Sequence, residues 1–331
     1  VFAGFASLAS TTILLEGLFV DPYVWSCVRF IGGLSFVGLF IVAESWLNDI
    51  APNRSRGQIL SAYIFVINAG LFIGQFLINL GSIVSMGLFV LISVLISLSL
   101  VPITLANKPS PGFSEVESLP FKKLVKISPY AVLCVFSCGF IKAGMLGIGP
   151  VYALSMGLEI SEISILMAAY ILGCAIIPLG IGWLSDHFDR RKVIIGTCFV
   201  GFIFSIWILI NASWIYACAL MVVGCSNAIY GVGAAMVNDR LKPSQMTSAT
   251  ASLILINGVG ACVAPIILGF LMQTIGPITF FSAFALTFLL TFAFGLYRSM
   301  AGPGIEVESQ GEFQAIPASS GAGIVAIAEK N

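Results

Sequence analysis

Charge is scarce in this sequence of 331 residues. Lysine, arginine, aspartate and glutamate together make up only 9% of the chain, whereas apolar residues make up 59%. An ordinary soluble domain has about 25% charged residues. So few charges could not cover the surface of a water-soluble fold of this length. The composition therefore excludes that class and indicates a protein embedded in lipid.

Residue types that catalyse reactions or hold metals are also rare. The chain has one histidine, His187, and no phosphate-binding loop or cluster of metal-ligand residues. All eight cysteines lie in apolar segments, and Cys134 and Cys138 lack the spacing of a redox or zinc motif. We therefore predict that the protein is not an enzyme and needs neither a cofactor nor a metal.

Long apolar runs are abundant instead. Segments of about 20 apolar residues match the ~30 Å hydrocarbon thickness of a bilayer. Because these runs are continuously apolar and do not alternate, they predict helices and not barrel strands. The predicted fold is all-α and crosses the membrane many times. The ten predicted spans are residues 1–18, 24–47, 57–80, 83–105, 129–156, 162–185, 192–211, 213–236, 247–273 and 277–298.

The charges in the loops predict an orientation. Of the 15 lysines and arginines, all but Arg29 and Lys142 fall in loops on one side of the alternating topology. The charged residues in the opposite loops are all acidic and include Asp21 and Glu159. By the positive-inside rule the basic side is cytoplasmic, so both ends of the chain are predicted to be cytoplasmic. The formal net charge of zero conceals this asymmetry and gives no reason to expect a nucleic-acid partner.

One compact charged segment, residues 182–192 with the sequence GWLSDHFDRRK, separates two predicted spans. It resembles the G-x-L-x-D-x-x-x-R-R-[RK] signature of the major facilitator superfamily of secondary transporters. Asp189 stands where that family usually has glycine. An ordinary positive anchor is the alternative interpretation. The resemblance implies a cytoplasmic gating motif, which we define as Gly182, Leu184, Asp186, Arg190 and Arg191.

Two further motifs narrow the resemblance. ESWLN begins at Glu44, and NDR begins at Asn238. Together they look like a largely uncharacterised bacterial permease subgroup, over residues 1 to about 298. This resemblance implies a multi-pass protein of the bacterial inner membrane, but it supplies no substrate.

The longest polar stretch divides the chain. Residues 106–128 are rich in turn-forming and basic residues and are predicted to form a cytoplasmic loop between two helix bundles. Residues 1–105 then form a bundle of four spans, and residues 129–298 a bundle of six. Residues 299–331 are predicted to be a disordered cytoplasmic tail. Because the superfamily has two bundles of six helices, we expect the first two helices of the family to be missing here.

Two basic residues lie inside predicted spans, where a charge costs about 2.5–3.5 kcal/mol on insertion scales. Lys142 is near the middle of its span, and a cation there favours an anionic or zwitterionic solute. The cation could also be a counter-charge that is neutralised in one conformation. A lysine that snorkels towards the membrane surface or pairs with a backbone carbonyl is the structural alternative. Arg29 lies at the same depth as Glu16 on the other side of the first hairpin, so we expect an ion pair. This pair could be structural. The resemblance to the superfamily, which also has an arginine in this helix, followed here by Gly32 and Gly33, implies instead a role in proton transfer or substrate binding.

Amide and hydroxyl groups extend the predicted pathway. Asn68 and Gln75 share a helix face because seven residues are nearly two turns. Asn227, Tyr230 and Asn257 lie in later spans. Such groups can contact a polar solute or hydrogen-bond neighbouring helices, and both alternatives stay open. With Arg29 and Lys142, these five residues form the predicted translocation pathway.

Small residues predict close packing between helices. Gly70 and Gly74 lie in one span, and Gly258 and Gly260 in another. Glycine allows two helix backbones to approach closely, so we expect packing at both places.

These features predict a secondary transporter that moves a small solute by alternating access. Protons are a candidate coupling ion, and we expect the protein to be monomeric. Two alternatives share most of these features: a membrane receptor or sensor that binds a solute without moving it, and an uncoupled uniporter.

Overall fold

The structure is a computed structural model that describes residues 1–50, 56–81, 85–101, 121–241 and 243–300. Within these ranges the chain is helical and contains no strand. Its helices are α1 (Phe2–Leu18), α2 (Pro22–Ile50), α3 (Arg56–Leu77), α4 (Met86–Leu98), α5 (Phe121–Ile127), α6 (Pro129–Ser155), α7 (Ile160–His187), α8 (Arg190–Ile210), α9 (Ile215–Asn238), α10 (Pro243–Thr274) and α11 (Thr279–Met300).

Eight of these helices, namely α2, α3 and α6 to α11, are long and apolar enough to cross a membrane. The helices α1 and α4 are apolar but shorter, with 17 and 13 residues. Each of the ten predicted spans coincides with one described helix. The all-α membrane fold is therefore confirmed, while the crossing of the membrane by α1 and α4 stays a prediction.

The predicted central loop and tail are covered only in part. Residues 102–120 and 301–331 lie outside the described residues, and with them most of both segments. The end of the predicted loop forms α5, a helix that we did not predict. This helix has seven residues, which is too short for a recognisable period of apolar residues, and its basic residues are typical of a loop.

The described helices fall into two compact units. In the first unit, α1 packs against α2 and α4. The hydroxyl of Ser10 on α1 lies 2.6 Å from the hydroxyl of Ser93 and 3.0 Å from that of Ser97, both near the end of α4. A short hydrogen-bonded cluster thus joins two apolar helices, as polar side chains do in lipid.

The second unit comprises α5 to α11 together with Ile67–Gln75 of α3. The helix α9 is its centre and packs against α6, α7 and α8. About 72% of its membrane-length segment is buried, more than in any of the other seven membrane-length helices. The helix α6 also packs against α10, and α8 packs against α11. The side chains of α9 therefore contact neighbouring helices on several sides.

Glycines set the closest helix contacts of the second unit. A Cβ atom at Gly139 would clash with the backbone carbonyl of Asn257, so α6 and α10 touch backbone to backbone. Gly260 makes the reciprocal contact with the carbonyl of Phe136. Gly173 does the same between α7 and α9. The predicted close packing is confirmed for Gly260. Gly70, Gly74 and Gly258 have no described atom within 4 Å of a Cβ, so the expected contact is not met at these three glycines among the described residues.

Candidate functional site

Lys142 is held by an amide group. Its Nζ donates a hydrogen bond to Oδ1 of Asn227 over 3.2 Å. The Nδ2 of the same amide donates to the backbone carbonyl of Cys174 over 2.8 Å. These two bonds connect α6, α9 and α7 in a single chain of contacts, which we call the central polar chain.

The three residues of the central polar chain lie at the middle of their helices. Lys142 is 13 residues from either end of α6. Asn227 is 12 residues from the start of α9 and 11 from its end. Cys174 is 14 residues from the start of α7 and 13 from its end. Because each helix rises about 1.5 Å per residue, the chain lies near mid-depth of the unit.

The central polar chain carries an unbalanced positive charge. Lys142 and Asn227 are partly buried, and Cys138 and Met145 beside Lys142 on α6 are fully buried. Within the described residues of this unit, Asn227 is the only hydrogen-bond partner of the Lys142 ammonium, and no carboxylate lies within 4 Å. An ammonium has three N–H donors. The site therefore offers a cation with spare donors to a group that enters it.

Tyr230 and Asn257 belong to the same unit. Tyr230 follows Asn227 by three residues on α9, is buried, and has a hydroxyl without a hydrogen-bond partner among the described residues. The Nδ2 of Asn257 donates to the carbonyl of Val135 over 3.1 Å and so joins α10 to α6. This contact shows that Asn257 takes part in helix packing, one of the two alternatives that the sequence left open.

Two residues of the predicted pathway, Asn68 and Gln75, lie on α3. Asn68 and Gln75 are both partly buried. The Nε2 of Gln75 donates to the carbonyl of Leu71, one turn earlier in the same helix, over 3.3 Å. A role for these two residues in a translocation pathway stays a prediction.

Glu16 and Arg29 form the expected ion pair in the first unit. Oε2 of Glu16 lies 3.2 Å from Nη2 of Arg29. The Glu16 side chain is 7% exposed and that of Arg29 is 66% exposed. The guanidinium also lies over the ring of Trp25, whose Nε1 donates to the carbonyl of Glu16 over 2.9 Å. The pair therefore joins α1 to α2 and buries the carboxylate, while the guanidinium stays accessible.

The gating motif lies where α7 ends and α8 begins. Gly182, Leu184 and Asp186 occupy the last turns of α7, and Arg190 begins α8. The Arg190 side chain is 2% exposed and forms an ion pair with Asp239, the residue that follows α9. Its second contact is with Asp186, over 3.8 Å. One buried guanidinium thus ties the α7–α8 connection to the end of α9.

Asp189 and Asp239 have functions that the sequence analysis missed. Asp189 stands at the position of a family glycine, yet its φ of −55° needs no glycine. Its side chain accepts a hydrogen bond from the backbone N–H of Arg191 over 2.8 Å and caps α8. Asp239 belongs to the NDR motif, but its partner Arg190 is 49 residues away. The one sequence signal for a role of Asp239 was its position as a charged residue directly after a predicted span.

Comparisons with known proteins agree with this fold. The chain is 26% identical over 261 residues to the uncharacterised MFS-type transporter YcaD of Escherichia fergusonii, covering 78% of this chain and 68% of YcaD. A bacterial homologue of the human lysosomal transporter Spinster, in an inward-facing and occupied conformation, gives a TM-score of 0.62 at 15% identity, over 99% of this chain and 82% of that one. The human organic anion transporter MFSD10 gives a TM-score of 0.54 at 13% identity, over 89% and 76% of the two chains.

The family itself is shown by sequence. The model of the Major Facilitator Superfamily matches residues 131–325, which is more than half of the chain. The relatives and the structural neighbours are transporters and not enzymes. The chain therefore belongs to the major facilitator superfamily of membrane transporters.

Proposed function

We propose that the protein is a secondary transporter that moves a small anionic or zwitterionic solute across the bacterial inner membrane by alternating access. The observation that carries this proposal is the central polar chain: the Lys142 ammonium bound to Asn227, at the middle of three packed helices. A charged side chain inside a membrane costs free energy, and such residues commonly mark the pathway of a solute or an ion.

The charge of Lys142 favours the solute class. An ammonium that is satisfied by one neutral amide retains two donors and a full positive charge. An incoming carboxylate or phosphate would add a charge-assisted hydrogen bond, which is roughly twice as strong as a neutral one. A cationic solute would meet repulsion in the same place. We therefore infer that the site selects against cations and binds anions or zwitterions.

The gating motif is the place where we propose a conformational change during transport. The contacts of Arg190 with Asp186 and Asp239 hold the end of α7 against the end of α9. We propose that this end of the second unit faces the cytoplasm and that its contacts are broken and remade in each transport cycle. Transporters of this kind expose one central site alternately to the two sides of the membrane.

The test uses cells that express the full-length gene in its natural form or with Lys142→Met. Solutes retained inside are compared with those in the medium by untargeted mass spectrometry. We expect one class of anionic or zwitterionic solute to redistribute with the natural protein but not with Lys142→Met. Lys126→Met is the matched control, since Lys126 is exposed on α5 outside the gating segment, and it should transport normally.

The other outcomes separate the alternatives. Equal redistribution by the natural protein and by Lys142→Met would support the proposed transport but would assign Lys142 a structural role. If no form redistributes any solute despite correct insertion, the receptor or sensor becomes the better description. Redistribution of a cation through the natural protein would contradict the proposed solute class.

Proton coupling is a second proposal, and it rests on Glu16. A carboxylate that is buried beside an accessible guanidinium is suited to exchange its partner for a proton. We expect an imposed proton gradient to drive uptake in the natural protein and not in Glu16→Gln, while exchange of solute without a gradient persists in both. Glu159→Gln, at an exposed position, is the control. Uptake that ignores the gradient in the natural protein would indicate a uniporter.

A further inference from the structure

A small polar cavity lies at the end of the second unit that carries the gating motif. Its volume is about 80 Å³, several times the ~10–15 Å³ that one water molecule needs. Three arginines from three different helix ends line it: Arg191 at the start of α8, Arg240 beyond α9, and Arg298 near the end of α11. Ser128 and Tyr130 from the start of α6 complete its polar lining.

The charge around this cavity is positive. Burial lowers the pKa of Arg240, and the nearby charges of Arg191 and Arg298 lower it further, while Asp239 and Asp189 raise it. Both of these carboxylates already have other contacts. Asp239 is paired with Arg190, and Asp189 caps α8. The three guanidinium groups line the cavity directly, whereas neither of these two carboxylates is among its lining residues.

The contacts of the arginines hold the cavity in shape. The Nη1 of Arg191 donates to the backbone carbonyl of Arg298 over 3.4 Å and so bridges α8 and α11. The Nη1 of Arg240 donates to the carbonyl of Met236, one turn earlier in the chain, over 2.8 Å. A guanidinium has five N–H donors, so the bond to Met236 uses only a small part of the capacity of Arg240.

A buried hydroxyl is the second observation that points to a ligand. Tyr130 is 3% exposed, and its hydroxyl has no hydrogen-bond partner among the described residues. The hydroxyl lies against Gly295, one turn before Arg298, and close to Ile195, one turn after Arg191. It therefore lies about one helical turn deeper than two of the arginines. Leaving such a group without a partner costs about 1–3 kcal/mol.

We propose that this cavity binds a phosphate group. Guanidinium groups match the geometry of phosphate oxygens and can bind them in pairs. The cavity has room for one tetrahedral oxyanion, and its three arginines approach from three helix ends, as a group with several acceptor oxygens requires. Two sources supply this chemistry: the headgroup of a phospholipid in the adjoining leaflet, and free inorganic phosphate. The proposal is independent of the transported solute and of Lys142.

The experiment uses the purified full-length protein in two arms. In a neutral detergent, inorganic phosphate is titrated and binding is followed by calorimetry. In nanodiscs of phosphatidylcholine, increasing amounts of phosphatidic acid are added and thermal unfolding is followed. We expect saturable binding in at least one arm. Binding of inorganic phosphate would assign the site to the free ion, and an effect of phosphatidic acid alone would assign it to lipid.

Substitutions locate the binding. Arg240→Gln and Arg298→Gln should each weaken it about tenfold, because each removes a hydrogen bond from a charged donor. Lys192→Gln makes the same change of charge at an exposed position outside the cavity and should leave the affinity unchanged. Gel filtration of each variant without ligand checks its folding.

Two results would overturn the proposal. One is the lack of saturable binding by the natural protein in both arms, which does not depend on how stable the variants are. The other is a loss of affinity in Lys192→Gln as large as in the two arginine variants, since binding would then follow the overall charge and not this cavity.

Discussion

Asn227 is the residue on which the central polar chain depends. Its oxygen accepts from Lys142 and its nitrogen donates to the carbonyl of Cys174, so both ends of one amide are used. This arrangement fixes the orientation of the amide, because the reverse orientation would place a donor against an ammonium.

Replacement of Asn227 by alanine should therefore destabilise the protein. The change leaves the ammonium of Lys142 and the carbonyl of Cys174 without this partner, and each unsatisfied group costs about 1–3 kcal/mol. The measurement is thermal unfolding of the purified protein in detergent. Asn211→Ala is the control, because Asn211 is exposed between α8 and α9 and should change stability by less than about 0.5 kcal/mol. Equal unfolding temperatures for both variants would contradict the central role of Asn227.

The connection between α7 and α8 shows how a short segment can join three helices. Asp189 caps α8 with its own side chain, and Arg190 is thereby placed on the first turn, facing the end of α9. The contact with Asp239 is buried, whereas Asp186 is 32% exposed. A buried charge depends on its partner far more than an exposed one does. The two aspartates should thus contribute unequally.

Asp239→Asn and Asp186→Asn measure this difference. Removal of the buried partner leaves the Arg190 charge poorly compensated, and we expect a loss of about 3 kcal/mol of stability. The exposed partner should contribute less than about 1 kcal/mol. Thermal unfolding of the two variants side by side gives the comparison. A larger effect of Asp186→Asn would mean that the stabilising contact of Arg190 is the one within the α7–α8 connection and not the one with Asp239 after α9.

The packing of α6 against α10 gives a second prediction for an element. Gly260→Ala places a methyl group against the carbonyl of Phe136, on backbone that cannot easily move. Overpacking of this kind costs about 1–3 kcal/mol. Gly258→Ala, two residues earlier in the same helix, has no described atom within 4 Å and should be neutral or slightly stabilising. The ratio of folded to aggregated protein after heating, followed by gel filtration, distinguishes the two. Similar losses in both variants would argue against this contact.

The sequence predicts elements better than contacts. Apolar runs are a local property, so all ten predicted spans coincide with helices. Gly258 and Gly260 are about 200° apart around α10, so only one of them can face α6, and the sequence does not say which. The partner of Arg190 is likewise 49 residues away. Lys142 could be predicted as a site residue because a charge inside a span is rare. Its partner Asn227 could not be chosen, because several spans contain asparagine or glutamine residues.

At the scale of the whole molecule, the strongest signal is the separation of charge. The basic loops all fall on one predicted side, and this separation does not depend on any single helix contact. The same side contains the gating motif and the arginine-lined cavity. If that side is cytoplasmic, a phosphate bound in the cavity comes from the cytoplasm or from the inner leaflet. The orientation of the molecule therefore decides which ligands these sites can meet.

The two ends of α8 provide the test of orientation. Lys192 and Asn211 are 19 residues apart along this helix, or about 28 Å, which is close to the hydrocarbon thickness of a bilayer. Single cysteines are placed at these two positions, in a background with serine at the exposed Cys27 and Cys262. We expect a membrane-impermeant maleimide to label Asn211→Cys in intact cells and Lys192→Cys only after the membrane is opened. The reverse pattern would place the gating motif and the cavity outside the cell, and labelling of both in intact cells would mean that α8 does not cross the membrane.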